Sequence, residues 1–179
     1  AALRYAVLFR AKFGAFRLPE WQAACAPHTW PLVPANPAQG LSGYAKIGGD
    51  VGPTLFMQTS CTEQEIQRIA SRSILVRFVV ELWGEGDSVE ECARDFEVPA
   101  NFYGPWRLWL FRAGASNGRS GGEKVANCQY MDILRRFRVP GPVDLEDGQQ
   151  ILVALDDDRK EGEEAVVRRA YAGRIVARG

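Results

Sequence analysis

The sequence predicts an α+β fold that is built from two small units in succession. Residues 4–83 alternate strand and helix patterns in the order β-α-β-β-α-β. A second series of helix and strand patterns follows over about 87–179 and shows no sequence repeat of the first. With 46% hydrophobic and 11% aromatic residues among 179, the chain can bury a core in each unit.

The first helix and its preceding strand have clear signals at their ends. The stretch RYAVLFR, 4–10, is apolar at nearly every position, which predicts an internal strand. In FRLPEWQAACA, Pro19 suits the first turn of a helix and Glu20 favours its positive end. Pro27 prevents that helix from continuing, and a loop rich in Pro and Gly follows.

The rest of the first unit completes a split βαβ pattern. YAKIGG and TLFMQTSC read as two strands, and Thr62 with Glu65 forms a capping box that opens a second helix. The buried strand ILVRFVVELW comes next. This order is typical of the ferredoxin-like arrangement, in which helices cover an antiparallel sheet.

The stretch GEGD, 84–87, raises the question of a phosphate-binding loop, because it joins a strand to a helix. A P-loop needs GxxxxGK[ST], and a dinucleotide-binding turn needs GxGxxG, and neither pattern is present. The helix start is also acidic, which would repel a phosphate. We therefore predict a turn between the two units, so that the domain limits become 1–86 and 87–179.

The second unit opens with another capping box, from Ser88 to Glu91. The strand WRLWLFR, a Gly/Ser-rich loop and a helix over 123–137 come next. An Asp147-Gly148 turn then leads into the strand QQILVALD, and EEAVVRRAYAGRIVARG predicts a strand, a turn and a further strand.

The residues that commonly carry catalysis or bind metals are sparse. His28 is the only histidine, and the four cysteines lie too far apart for a CxxC pair, which predicts buried, reduced thiols. The acidic run 156–158 sits in a Lys/Glu-rich stretch and reads as a solvated loop tip. We predict no catalytic residue and no metal ligand in this chain, and the lack of an apolar run of membrane length predicts no membrane association.

Basic residues are the remaining feature. The formal net charge is zero, which argues against a globally basic nucleic-acid binder. Residues 101–179 nevertheless hold 13 Lys or Arg and 11 Asp or Glu, and much of that acidity is concentrated in 156–164. We predict that phosphate contacts are made by basic residues of the Gly/Ser-rich loop, of the helix over 123–137 and its end, and of the closing strands. They are Arg119, Lys124, Arg135, Arg136, Arg138, Arg168, Arg169, Arg174 and Arg178.

Several segments resemble the N-terminal region of the eukaryotic tRNA guanine-10 N2-methyltransferase family. They are FRLPE, the segment SRSILVRFVVELWGEGDSVEE with its ELWGEG core, and the closing YAGRIVARG with its Tyr-x-Gly-Arg pattern. The resemblance extends through nearly the whole chain, apart from the loops 27–43 and 113–124. It implies a ferredoxin-like domain over 1–86 followed by a THUMP-type RNA-binding α/β domain over 87–179.

The resemblance also implies what the rest of such a protein does. The family's catalytic domain is a C-terminal methyltransferase that uses S-adenosylmethionine, carries an Asp-Pro-Pro-Tyr motif and binds a small zinc-binding activator subunit. Neither that motif nor a Gly-rich cofactor loop occurs here, so we expect a fragment or a truncated paralogue without its own cofactor. The expected role is cytoplasmic tRNA binding, in which the chain docks the acceptor end for a catalytic domain outside this chain.

A second interpretation belongs to another functional class. The zero net charge and the acidic stretch 156–164 are also compatible with a THUMP-like protein-interaction or assembly subunit that does not bind RNA. The dependence of RNA affinity on salt distinguishes the two, because phosphate contacts release counterions.

Overall fold

A computed structural model describes residues 3–10, 13–25, 54–59, 61–113, 127–157 and 167–179 of the chain. These residues form two compact units: Ala1–Glu81 with Val176–Gly179, and Leu82–Ile175. The units differ in two ways from the limits expected from the sequence, 1–86 and 87–179: the boundary falls after Glu81, and the last four residues group with the first unit. The mixture of helices with a largely antiparallel set of strands confirms the predicted α+β class.

The first unit is a sheet packed against helices. Its strands are β1 (Leu3–Phe9), β2 (Thr54–Thr59) and the first part of β3 (Val76–Gly86), in the order β2-β1-β3, and both pairs are antiparallel. In the predicted β-α-β-β-α-β pattern, β2, β1 and β3 are the third, first and fourth strands, and a ferredoxin-like sheet places those three strands side by side in this order. The strand predicted at YAKIGG lies outside the described residues.

Two helices cover one face of this sheet, α1 (Arg17–Cys25) and α2 (Glu63–Ala70). The predicted capping box opens α2: the Thr62 hydroxyl accepts from the Glu65 amide at 3.3 Å, and the Glu65 carboxylate accepts from the Thr62 amide at 2.8 Å. Trp21 and Ile66 are fully buried at the centre of the resulting core. Glu20 fixes the approach to β3, since its carboxylate accepts from the amides of Ile74 and Leu75 at 2.7 and 3.0 Å.

The second unit combines a parallel and an antiparallel strand pair. Helix α3 (Val89–Asp95) is followed by β4 (Trp106–Ala113), α4 (Asn127–Arg136), β5 (Gln149–Asp157) and β6 (Val167–Arg178). The β4–β5 pair is parallel and the β5–β6 pair is antiparallel. A parallel pair needs a crossover connection, and α4 supplies it. Val89, Cys92 and Ile133 of the two helices pack with Leu108 and Ile151 of the sheet in one core.

Two local predictions in this region are wrong. The stretch Gly84–Gly86 continues strand β3 and does not form a turn. Its glycines allow α3 to pack closely, because a Cβ on Gly84 would lie 2.7 Å from the Cα of Phe96, and one on Gly86 would lie 2.5 Å from the Cβ of Glu91. The predicted strand, turn and strand at the end of the chain is one continuous strand from Val167 to Arg178.

Candidate nucleic-acid interface

Helices α3 and α4 of the second unit border a shallow, solvent-open groove of about 660 Å³. We call it the α3–α4 groove, and basic side chains dominate its polar lining. It is lined by Glu90, Ala93, Arg94, Phe96, Arg135, Arg136 and Arg138. Four guanidinium groups and one carboxylate therefore share one surface depression, whereas the chain as a whole has no net charge.

The α3 side of the groove is fixed by its helix start. Ser88 is the N-cap, and its hydroxyl accepts from the Glu91 amide at 3.2 Å. The reciprocal bond of the predicted capping box differs by one residue. The Glu91 carboxylate accepts from the Asp87 amide at 2.9 Å and not from the Ser88 amide. Both bonds hold the first turn of α3, so that Glu90 and Arg94 lie one turn apart on the same outer face.

The α4 side presents the end of a helix. Arg135 and Arg136 occupy the last turn of α4, where cations are favoured by the helix dipole, and both are exposed. Phe137 follows directly and is only 2% exposed, which anchors the end of the helix in the core. The exposed Arg138 comes one residue later and completes the basic lining.

The ring of Phe96 lines the groove and belongs to a cluster of aromatic side chains in the core of the second unit. Phe96 contacts Phe137 edge to face, with ring centroids 5.0 Å apart and an interplanar angle of 88°. Trp83 contacts Phe96 and Phe102 at 5.9 and 5.1 Å. Such pairs add about 0.5–1.5 kcal/mol each beyond their buried area. The contact between Phe96 and Phe137 therefore links the end of α3 to the end of α4, so that the arginines on both helices are held near one another.

One ion pair crosses the groove. Arg136 donates to the Glu90 carboxylate, and the two side chains are 44% and 59% exposed. The hydrogen bond from Arg136 is the main cause that lowers the pKa of Glu90 below its ordinary value, so this carboxylate is ionised near neutral pH. One of the four guanidinium groups, that of Arg136, is thus already paired with a carboxylate of the protein itself.

The structure distributes the predicted RNA-binding residues over several places. Arg135, Arg136 and Arg138 come together in the α3–α4 groove. Arg174 is half-buried on β6 opposite Ile151. Arg178 lies in the first unit, with its Cζ 5.6 Å from the centroid of the Phe78 ring. Arg119 and Lys124 lie outside the described residues, and so do the side chains of Arg168 and Arg169. Direct contact with RNA stays a prediction for all nine.

Sequence reasoning missed Arg94 and used the acidic start of α3, which includes Glu90, only as an argument against phosphate binding. A signal for both was present, because residues 90, 93 and 94 share one face of a helix that a capping box predicted. That signal could not show that the end of α4 lies opposite this face.

Other candidate chemistry does not assemble among the described residues. No group of three or more His, Cys, Asp or Glu side chains in those ranges is arranged to hold a metal ion. Cys25 and Cys92 are buried and Cys61 is half-buried, whereas His28, Asp158 and the Cys128 side chain lie outside the description. No helix in the described part of the chain is long and apolar enough to cross a membrane.

Comparison with known proteins gives a likeness in fold. No protein-family model matches the sequence, and no curated protein matches it either. Among solved structures, the crystal structure of TrmN from Thermus thermophilus is similar, with a TM-score of 0.50 over 98% of this chain and a sequence identity of 12%. At that identity the likeness is one of fold, and the chain spans 45% of the TrmN chain.

Proposed function

We propose that this chain is the tRNA-recognition region of a tRNA-modifying enzyme and that the α3–α4 groove contacts RNA phosphates. The observation that supports the proposal is the convergence of four guanidinium groups, from Arg94, Arg135, Arg136 and Arg138, on one open groove. Guanidinium groups bind phosphate with two parallel hydrogen bonds, which makes arginine well suited to this contact.

The shape of the groove favours backbone recognition over base reading. It is shallow, and its polar groups are nearly all donors, which match phosphate oxygens. Double-stranded RNA is recognised mainly through its phosphates, its 2′-hydroxyls and its A-form shape. A duplex stem such as the tRNA acceptor end therefore fits this surface, and the sequence resemblance names the same end.

The resemblance carries the proposal further. We propose that the parent enzyme is a S-adenosylmethionine-dependent tRNA guanine-10 N2-methyltransferase, whose catalytic domain would lie outside this chain. S-adenosylmethionine and the small zinc-binding activator subunit would then be bound by that domain and not by the residues described above. A cytoplasmic location belongs to the same proposal, as does the assignment of the second unit as a THUMP-type domain.

The test is tRNA binding by this chain at a series of salt concentrations. We expect Arg135→Gln/Arg136→Gln to flatten the slope of log K against log salt by about 2, because each phosphate contact on a duplex contributes about 0.9. Trimming the 3′ end of the tRNA should also weaken binding. The control is Arg68→Gln/Arg72→Gln, which removes the same charge from exposed positions at helix α2.

The possible results separate the two functional classes. Equal slopes for the groove variant and the control would remove the groove assignment. Binding by the unchanged protein that ignores salt, or no binding at low salt, would contradict RNA recognition and would favour an assembly subunit.

A further inference from the structure

Eight large apolar side chains are exposed in the described part of the chain, and six of them fall into two groups. The first group lies in the second unit, on the two loops beside the start of β4. It consists of Tyr103, Val143 and Leu145, which are 81%, 55% and 69% exposed. We call these three residues the β4-loop patch. An exposed apolar patch with a polar rim is typical of a protein–protein interaction site, and tyrosine is a frequent anchor there.

The backbone beside Val143 is fixed to strand β4. The Trp106 amide donates to the Pro142 carbonyl at 3.0 Å, and the Asp144 amide donates to the Trp106 carbonyl at 2.9 Å. Val143 therefore forms a bridge with the first residue of the strand. Its side chain is presented to solvent by backbone that is held on both sides.

Two side chains fix the loops of the other members of the patch. The Arg107 guanidinium donates to the Leu145 carbonyl at 3.1 Å, and the Gln149 side chain donates to the Tyr103 carbonyl at 3.1 Å. Both loops are thus tied to the starts of β4 and β5. A partner that binds here loses little free energy to the ordering of loops, because the backbone is already in place.

The rim of the β4-loop patch is acidic. Glu146 and Asp147 are exposed, and their amides donate to the Asp144 carboxylate at 2.9 and 3.1 Å. The bonds from Asp147 and Glu146 lower the pKa of Asp144, so this carboxyl is ionised near neutral pH. The half-buried Arg107 offsets one of these charges. Sites for single-stranded RNA combine aromatic side chains with positive charge, so the acidic rim favours a protein partner whose apolar surface has a basic rim.

The first unit of the chain carries a surface of that kind. It consists of Phe13, Phe16 and Ile74, all of which are exposed, and we call it the Phe13 patch. The Phe16 amide donates to the Phe13 carbonyl at 2.9 Å. One turn beyond Phe16, the half-buried Glu20 carboxylate accepts from the Ile74 amide at 2.7 Å. These bonds place the segment that holds both phenylalanines beside the segment that holds Ile74.

Basic side chains border the Phe13 patch. Arg72 lies two residues before Ile74, and it is exposed. Arg10 is also exposed, and its amide donates to the carbonyl of Leu75, the neighbour of Ile74, at 2.7 Å. Its guanidinium donates to the Gly179 oxygen at 3.4 Å, but a guanidinium stays charged when it donates a hydrogen bond. The rim of this patch is therefore positive where that of the β4-loop patch is negative.

We propose that the β4-loop patch of one copy of this chain docks on the Phe13 patch of a second copy. The apolar residues of the two patches pack together, and the acidic rim of one faces the basic rim of the other, which fixes the orientation of docking. Such a contact uses two different surfaces, so it joins copies head to tail and either closes into a ring or continues. The inference goes beyond the proposed function and does not depend on RNA binding.

The experiment measures the mass of the full chain in solution by sedimentation velocity over a series of protein and salt concentrations. Three double variants each replace two exposed apolar side chains by serine. They are Tyr103→Ser/Leu145→Ser, Phe13→Ser/Phe16→Ser and the control Leu3→Ser/Met131→Ser, whose positions belong to neither patch. Thermal unfolding checks that each variant is folded. Where a double variant is not, Tyr103→Ser or Phe16→Ser alone takes its place.

We expect the unchanged protein and the control to associate as the protein concentration rises. Each patch variant should weaken association by about tenfold or more, because truncation of anchor residues in an interface has effects of this size. An equimolar mixture of the two patch variants should form a dimer, since one intact patch of each kind remains between them. Salt should weaken association, because it screens the opposite charges of the two rims.

Three outcomes overturn the inference. The first is an unchanged protein that stays monomeric at every concentration. The second is a pair of patch variants that associate as the control does. The third is a mixture of the two patch variants that stays monomeric, because it would show that the two patches do not bind each other.

RNA binding separates this inference from the proposed function. Affinity is measured by fluorescence anisotropy for an RNA minihelix, which consists of a tRNA acceptor stem with its single-stranded 3′ end. Weaker RNA binding by Tyr103→Ser/Leu145→Ser, with self-association unchanged, would identify RNA as the occupant of the β4-loop patch and overturn the docking of a second copy. Self-association that is lost as expected in a protein that binds no RNA would support the inference and contradict only the proposed function.

Discussion

Replacing Glu90 with glutamine should strengthen RNA binding while it weakens the folded state. Among the described residues, Glu90 is the one carboxylate that lines the α3–α4 groove, and it pairs with Arg136. If the groove binds phosphate, an RNA phosphate must compete with this internal anion for the guanidinium group of Arg136. The variant Glu90→Gln removes the competitor and keeps the shape of the side chain.

The exposure of the pair sets the magnitude. Arg136 and Glu90 are 44% and 59% exposed, so solvent screens their attraction and the pair contributes about 0.2–1 kcal/mol to stability. In the unchanged protein, an RNA phosphate that binds Arg136 must offset this free energy to displace Glu90, and the Glu90→Gln variant removes that cost. Because 1.4 kcal/mol corresponds to a factor of ten, we expect affinity to rise by about 1.4- to 5-fold.

The pH range of the assay follows from the sign of the pKa shift. The folded-state pKa of Glu90 is lowered from its ordinary value of 4.5. Its contribution to stability is therefore fully present above that value and is lost as pH falls through the lowered folded-state pKa. The difference between the two proteins should be constant from about pH 6 to 8, and it should shrink only under acid conditions.

The matched control is Glu146→Gln, which removes one negative charge from an exposed side chain elsewhere in the same unit. Affinity is measured by anisotropy with the RNA minihelix at low salt, and stability by urea unfolding. An affinity for Glu90→Gln that equals or falls below that of the control would refute the competition between Glu90 and phosphate.

Two further predictions concern the packing of the second unit and the cysteines. Gly84→Ala should lower the free energy of unfolding by about 1–3 kcal/mol, since its Cβ would lie 2.7 Å from the Cα of Phe96; a urea midpoint equal to that of the unchanged protein would contradict this close packing. Burial raises the pKa of all three described cysteine thiols, to about 11 for Cys25 and about 12 for Cys92, and Cys61 is the only one of the three that is half-buried rather than buried, so iodoacetamide at pH 7.5 should modify Cys61 before Cys25 and Cys92. Peptide mass mapping tests this order, and equal labelling of Cys92 in the folded protein would count against it.

Features that depend on neighbouring residues could be predicted from the sequence. The cap from Thr62 to Glu65 forms as expected, because a hydroxyl and a carboxylate three residues apart satisfy each other's backbone amides. The parallel pairing of β4 with β5 likewise fits a helix placed between two strands. The cap depends on short-range chemistry, and the parallel pair depends on the order of strand, helix and strand along the chain.

Features that depend on distant residues could not be predicted. Glycines at 84 and 86 usually indicate a turn. Here helix α3, which follows in the sequence, packs so closely against the strand that neither position has room for a side chain. Arg94 lines the groove only because the fold places the end of α4 opposite it. Arg178 was expected in the second unit, but the last four residues pack with the first, where its guanidinium lies near the Phe78 ring.

The end of strand β6 has a consequence for the order in which the protein is made. Val176 and Ala177 are 5% and 6% exposed and belong to the core that begins with Tyr5, and Gln67 donates to the Val176 carbonyl at 3.0 Å. During translation, the ribosome must therefore deliver the whole second unit before the first can close its core. An N-terminal segment usually folds first as it is synthesised, but here the first unit is completed only by residues that follow the whole second unit in the sequence.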